Sequence, residues 1–104
     1  MAVEYRFIPG VPSTINDEVV ASDLFAAAVS VLGTEHVTYL KPKMGGEDFG
    51  LFTQLVPGAF MRLGCANAAR GITHKGHSPH FDVDERALPI GVEVMVEAIR
   101  SYLA

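Results

Sequence analysis

The sequence predicts an α/β fold: a small β-α-β-α-β-α layer, built from apolar stretches whose periodicity alternates between that of strands and that of helices. Three observations carry this. "VEYRF" alternates strictly, "EVVASDLFAAAVSVLG" and the C-terminal "ALPIGVEVMVEAIRSYL" repeat at helical spacing, and short apolar runs sit between them, set off by Gly and Pro. With 104 residues the chain makes one small domain, and 49% hydrophobic content provides a modest core. Strands that alternate with helices favour a partly parallel sheet, whose strands need both faces covered. Three strands and three helices are too few to cover them, so the pattern reads as a piece of something larger.

Each element has its own signals. In "VEYRF", Val3, Tyr5 and Phe7 share one face and Glu4 and Arg6 the other, which makes a half-buried strand closed by "PGVPS". The first helix follows: Asn16 can cap it, Asp17 and Glu18 suit its positive end, and Gly33 supplies a left-handed stop. Its apolar stripe is Val20, Leu24, Ala27 and Val31, flanked by Phe25, Ala28 and Leu32. "HVTYL" is a short strand. In "KPKMGGEDFGLFTQLVPG" the Gly45-Gly46 pair makes a tight turn, and Glu47 and Asp48 open a second helix. Its face is Phe49, Phe52, Leu55 and Val56, and Pro57-Gly58 stops it. "AFMRLG" is the third strand, followed by an irregular stretch from Cys65 to Val83. A turn at residues 84–87 leads to the last helix near Pro89, with Leu88, Val92, Met95, Ile99 and Leu103 as its stripe.

Composition excludes several function classes. The net charge is −4 and the eight Lys and Arg are scattered, which argues against a nucleic-acid surface. The richest apolar run, "LFAAAVSVL", is far shorter than the roughly 20 residues of a membrane span. The start lacks the pattern of a signal peptide, and the single Cys65 has no disulfide partner, so a cytoplasmic location is expected.

Two stretches can carry chemistry. "GITHKGHSPHFDVDE" holds His74, His77 and His80 at a spacing of three. A three-histidine zinc site is chemically possible, but Gly76 and Pro79 oppose a helix and no HExxH-type signature is present. On spacing alone a solvated polar loop is the better reading. Asp84 is placed to cap the following helix and Glu85 to serve as its first-turn acid; the acidic "FDVDE" can also orient an imidazole. In "MGGEDF", N–H groups after a glycine pair favour an anion such as a carboxylate, whereas a glycine turn with two acids answering the helix dipole is the simpler reading. Cys65 reads as a packed thiol rather than a nucleophile, and His36 as a residue at a strand entrance. Arg62 can pair with an acid or with a substrate carboxylate; the sequence leaves both open.

Taken in order, "GGEDF", "PGAF", "LG", "HSPHFD" and "DERALPIG" resemble the C-terminal end of one metallopeptidase family. It includes aminoacylase, hippurate hydrolase and the indole-acetyl-amino-acid hydrolases, within the carboxypeptidase G superfamily. The resemblance covers nearly the whole chain, since "VPSTINDEVV" resembles the family's passage from lid domain to catalytic domain. It implies a two-metal (zinc or manganese) amidohydrolase acting on N-acyl amino acids, in which the metals generate the attacking hydroxide. Carried over by motif, His77 is a metal ligand and Gly45 and Gly46 are backbone donors to the substrate carboxylate. Glu47 and Asp48 support the cleft from outside the first rank of contacts. His80 occupies the motif's variable position and His74 lies outside it. Gly76 stands where the family usually has leucine.

The resemblance also implies incompleteness. The family's HxCGHD motif, its Glu-Glu pair with the general base and a further histidine lie upstream and have no counterpart here, so no catalytic residue is expected in this chain. Residues 1–12 then correspond to the last lid-domain strand and 13–104 to the C-terminal segment of the catalytic domain. A chain of this kind is expected to be inactive alone. It would act with an upstream polypeptide, or form homo-oligomers by pairing the Val3–Phe7 strand. A non-catalytic oligomerisation or binding module derived from such an enzyme is the alternative.

Overall fold

The computed structural model describes residues 1–104, and its order is carried by helices. α1 spans Glu18–Leu32, α2 Phe49–Thr53 and α3 Ala87–Leu103, with single 3-10 turns at Thr34–His36 and Ala68–Arg70. The predicted strands at Val3–Phe7, in "HVTYL" and in "AFMRLG" do not form a sheet; the sole β-type pairing is an antiparallel bridge between Asn67 and Ile72. This corrects the expected β-α-β-α-β-α layer. A strand is defined by a neighbour that answers its N–H and C=O groups, and alternation in sequence cannot supply one.

Some ends of these segments are nonetheless held. Asn16 acts as a side-chain substitute for a strand partner: its Oδ1 accepts from the Phe60 N–H at 2.8 Å and its Nδ2 donates to the Phe60 carbonyl at 3.3 Å. Beside it the Asp17 N–H donates to the Gly58 carbonyl at 2.9 Å. Asn16 is thereby committed, and the cap of α1 is Asp17, whose Oδ1 accepts from Val19 and Val20 N–H groups, both at 3.0 Å. At the other end Gly33 takes φ 86°, and its N–H reaches the Val29 carbonyl. α3 starts before the expected point: Pro89 lies in its first turn, where its missing donor has no partner to lose.

α1 and α3 pack on each other and form the core. α1 turns in the face its sequence predicts, with Ala27 and Ala28 buried. α3 does the reverse. It buries Ala87 and Val94, while the expected stripe of Leu88, Val92, Met95, Ile99 and Leu103 lies exposed, Val92 at 62% and Leu103 at 76%. Phe52, Leu55 and Val56 of the α2 region are bare as well. Phe49 contacts Phe52 and Phe60, with ring centroids 6.0 and 5.5 Å apart. Phe25 of α1 stacks on Tyr39 at 4.6 Å, which holds the "HVTYL" segment against the helix.

Seven of the 104 residues are buried. The accessible surface is 9013 Å², against about 5,700 Å² for a folded monomer of this size. The radius of gyration is 17.5 Å, against about 13 Å for a compact domain of this length.

Two glycines separate a required absence of side chain from an incidental one. A Cβ on buried Gly50 would collide with the Pro12 carbonyl oxygen and sit 3.2 Å from Thr14 Oγ1. A Cβ on Gly91 would meet only the Leu63 Cδ2 tip, at 2.8 Å, which can swing aside. We therefore expect Gly50→Ala to destabilise the chain by about 1–3 kcal/mol. Gly91→Ala gains helix propensity instead and should stabilise by up to about 1 kcal/mol. Urea unfolding of the two variants checks the opposite signs.

Candidate functional site

The stretch from Cys65 to Arg86 folds as an anchored loop. At its base the Asn67 N–H donates to the Ile72 carbonyl at 2.8 Å and the Ile72 N–H returns to the Asn67 carbonyl at 2.9 Å. This pair encloses the turn Ala68–Arg70, which Gly71 ends in the left-handed conformation. Ile72 is buried at 7% exposure and fixes the outgoing arm. The returning arm is held by the Asp84 N–H, which donates to the Cys65 carbonyl at 2.8 Å. Cys65 contributes this backbone group and keeps a free, half-buried thiol.

Between the arms the chain makes two successive turns. The Ser78 N–H donates to the Lys75 carbonyl at 3.2 Å, and the Phe81 N–H to the Ser78 carbonyl at 3.0 Å. His77 is the third residue of the first turn and has φ 71°, the only non-glycine residue in the chain with positive φ. Gly76 before it does not have positive φ, so the turn is of type II, whose third position is the one that asks for glycine. The sequence puts the glycine one place early and a histidine where the strain falls. A non-glycine residue held in this region costs about 1–3 kcal/mol and is more common at functional positions than elsewhere. In the second turn Pro79 fixes the corner, and Ser78 Oγ accepts from the His80 N–H at 3.2 Å.

The three histidines divide differently from their even spacing. His74 and His80 have rings tilted against each other with centroids 5.4 Å apart, while His77 stands apart from that pair. No three His, Cys, Asp or Glu side chains come close enough together to hold a metal ion. The donor set of this chain alone therefore does not fit a divalent metal centre, which needs at least three protein ligands for zinc.

Gly45, Gly46, Glu47 and Asp48 lie in the exposed segment leading into α2. Neither glycine uses positive φ, and a Cβ on Gly45 would meet nothing. The Glu47 carboxylate accepts from the Phe49 N–H at 3.2 Å, at the first residue of α2, while Asp48 at the cap position makes no side-chain cap bond. Arg62 forms no ion pair, whereas His36 lies 3.5 Å from Glu35 in an exposed pair. Grooves of about 180 Å³ between α1 and α3, and about 300 Å³ beside residues 53–58, include none of the predicted site residues.

Asp84 is the one buried charged residue, at 6% exposure. Its carboxylate accepts from Asn67 Nδ2 at 2.6 Å, from Arg86 Nε at 3.0 and 3.1 Å and Nη2 at 2.6 Å, and from Arg70 Nη1 at 3.5 Å. It also accepts from the Arg86 N–H at 3.2 Å, within the turn that leads into α3. The cap position of α3 is Arg86, which makes no side-chain cap bond, so Asp84 does not take the cap role expected of it. The side-chain bonds from Arg86 and then Asn67 hold its carboxyl well below the ordinary value of 3.8, and the same pairing raises Arg86. A depressed carboxylate stabilises the fold fully above its ordinary value and loses that contribution only as pH falls through the lowered one. The clamp therefore stays charged throughout the neutral and mildly acidic range. Sequence reasoning expected Asp84 as a cap and missed its partners. Arg86, two residues away, was a usable signal; Asn67 and Arg70 are brought in by the fold and carried none.

The model of peptidase family M20/M25/M40 matches residues 2–101. IAA-amino acid hydrolase ILR1-like 6 of Arabidopsis thaliana is 36% identical over 92 residues, covering 88% of this chain and 20% of that protein. Thermostable carboxypeptidase 1 of Saccharolobus solfataricus is 34% identical over 89 residues, covering 85% of this chain and 22% of its own. A Rhodococcus jostii protein named as glutamate–cysteine ligase 2-3 is 38% identical over 97 residues, covering 93% of this chain and 12% of that protein. No solved structure matches. The chain belongs to peptidase family M20/M25/M40, and resembles its aminoacylase and IAA-amino acid hydrolase members. It spans about a fifth of the length of the hydrolase relatives and less of the ligase-named one.

The strain at His77 can be measured. His77→Gly should stabilise the chain by about 1 kcal/mol, since glycine takes positive φ without a steric cost, while His77→Ala leaves the strain in place and gains nothing. Urea unfolding of both variants decides; equal stabilities would mean that His77 is not strained.

Proposed function

We propose that the chain is the C-terminal segment of a metal-dependent amidohydrolase that cleaves N-acyl amino acids, and that it acts only with the upstream part of that enzyme. Residues 13–104 form the end of the catalytic domain, and residues 1–12 are the returning lid-domain strand. His77 supplies one ligand to a zinc or manganese centre completed upstream. Gly45 and Gly46 lie along the cleft, supported by Glu47 and Asp48. The observation that carries the reading is the strained backbone of His77, at the one histidine that the HSPHFD motif marks as the ligand.

The chain alone brings no three His, Cys, Asp or Glu side chains together, which supports a centre completed upstream. What it contributes is a preset donor: a turn that fixes the direction of His77 before metal arrives. The large bare apolar surface supports the need for an upstream partner. The same surface, with the unpaired Val3–Phe7 segment, favours as a second reading a homo-oligomer that has lost catalysis.

The discriminating experiment assays hydrolysis of N-acetyl and N-benzoyl amino acids, with zinc and manganese content. It uses the chain alone and the chain mixed with the upstream portion of the enzyme as a separate polypeptide. The expected outcome is no turnover and no stoichiometric metal alone, and both on mixing. In the mixture His77→Ala should lose more than the roughly 10–100-fold that removal of a supporting residue costs. Turnover by the chain alone overturns the reading, as does stoichiometric metal that is lost in His74→Ala and His80→Ala.

A further inference from the structure

The segment from residue 73 to residue 83 forms no hydrogen bond to any residue outside it; its bonds join its own turn residues. Its direction is therefore set where it leaves the fold, at Ile72, and where it returns, at Asp84. Asn67 bonds to both of these points, and the Cys65 carbonyl also holds the Asp84 N–H. Asn67 holds Ile72 by two backbone bonds, and its side chain donates to Asp84 at 2.6 Å. Arg70, in the turn that Asn67 encloses, reaches the same carboxylate at 3.5 Å, and Arg86 closes it from the start of α3.

We propose that Asp84, acting through Asn67, is a positioning residue for His77: it clamps the two arms of the loop so that the imidazole is presented on a left-handed turn in one direction. This rests on the reading of His77 as a ligand for its purpose, though not for its geometry. Charge, burial and bond count all favour the clamp over a plain helix cap. The cap position of α3 is Arg86, without a side-chain cap bond, and the Asp84 carboxylate faces two residues of the opposite arm. Cutting the tie at Asn67 should free the loop while leaving the start of α3 held by the Asp84–Arg86 pair, which a role confined to the start of α3 does not predict.

The test is NMR of the 104-residue chain and of Asn67→Ala and Asp84→Asn. In the wild type, positive φ at His77 gives a strong intraresidue cross-peak between its amide and α protons, and residues 73–83 have backbone order parameters near about 0.85. In Asn67→Ala the cross-peak should weaken to the level of its neighbours and the loop order parameters should fall below about 0.6. The α3 amide signals should stay in place. Asp84→Asn should do the same to the loop and also loosen the first turn of α3; because it touches both, Asn67→Ala is the deciding variant. An unchanged His77 cross-peak in Asn67→Ala overturns the clamp, as does loss of loop and α3 order together. A failed metal role for His77 would show instead as full activity of His77→Ala in the reconstituted enzyme, with the clamp intact.

Discussion

Apolar surface has to be covered, and a chain of 104 residues with two packed helices can cover only part of what this one carries. The buried set amounts to Ala27, Ala28, Gly50, Ile72, Asp84, Ala87 and Val94, mostly small side chains between α1 and α3. The bulky residues point elsewhere. α3 has an apolar residue on nearly every side, so packing one face on α1 leaves Leu88, Val92, Met95 and Ile99 open to water. Helices that are apolar all round belong in the interior of a larger body. The absent sheet, the elongated shape and the exposed α2 face all follow from that one shortage.

Where the chain does hold itself firmly, it does so with polar groups. Asn16 stands in for a strand partner at Phe60, Asp17 caps α1, and Asp84 gathers Asn67, Arg70 and Arg86. These bonds form within the chain itself and need no sheet. The motif region is anchored at its base, and the strained His77 turn sits on that base. On the proposed reading, a ligand held in advance would cost less ordering when metal binds.

The sequence disclosed the helices because helical hydrogen bonds are internal to the segment that makes them. α1, with its acidic start and Gly33 stop, could be read almost to the residue, with Asp17 replacing Asn16 as the cap. The strands could not form from pattern alone, since "VEYRF" and "AFMRLG" specify a face and leave the partner unstated. The α3 stripe was legible as apolar, but not which face packs on α1, because periodicity does not say which of two apolar faces finds a neighbour first. At the site, the motif singled out His77, and the backbone there is the only strained non-glycine position. The Asp84 clamp was half visible: Asp84 and Arg86 are close in sequence, while Asn67 reaches the carboxylate from 17 residues away.

The central claim is that an upstream part of an M20-type enzyme covers the bare apolar faces of this chain. Calorimetric titration with that upstream polypeptide at several temperatures tests it most directly, because burial of apolar surface lowers the heat capacity. The account predicts tight one-to-one association with a heat-capacity change of about −1 kcal/mol/K or more negative. No association, or association with a heat-capacity change near zero, would contradict it.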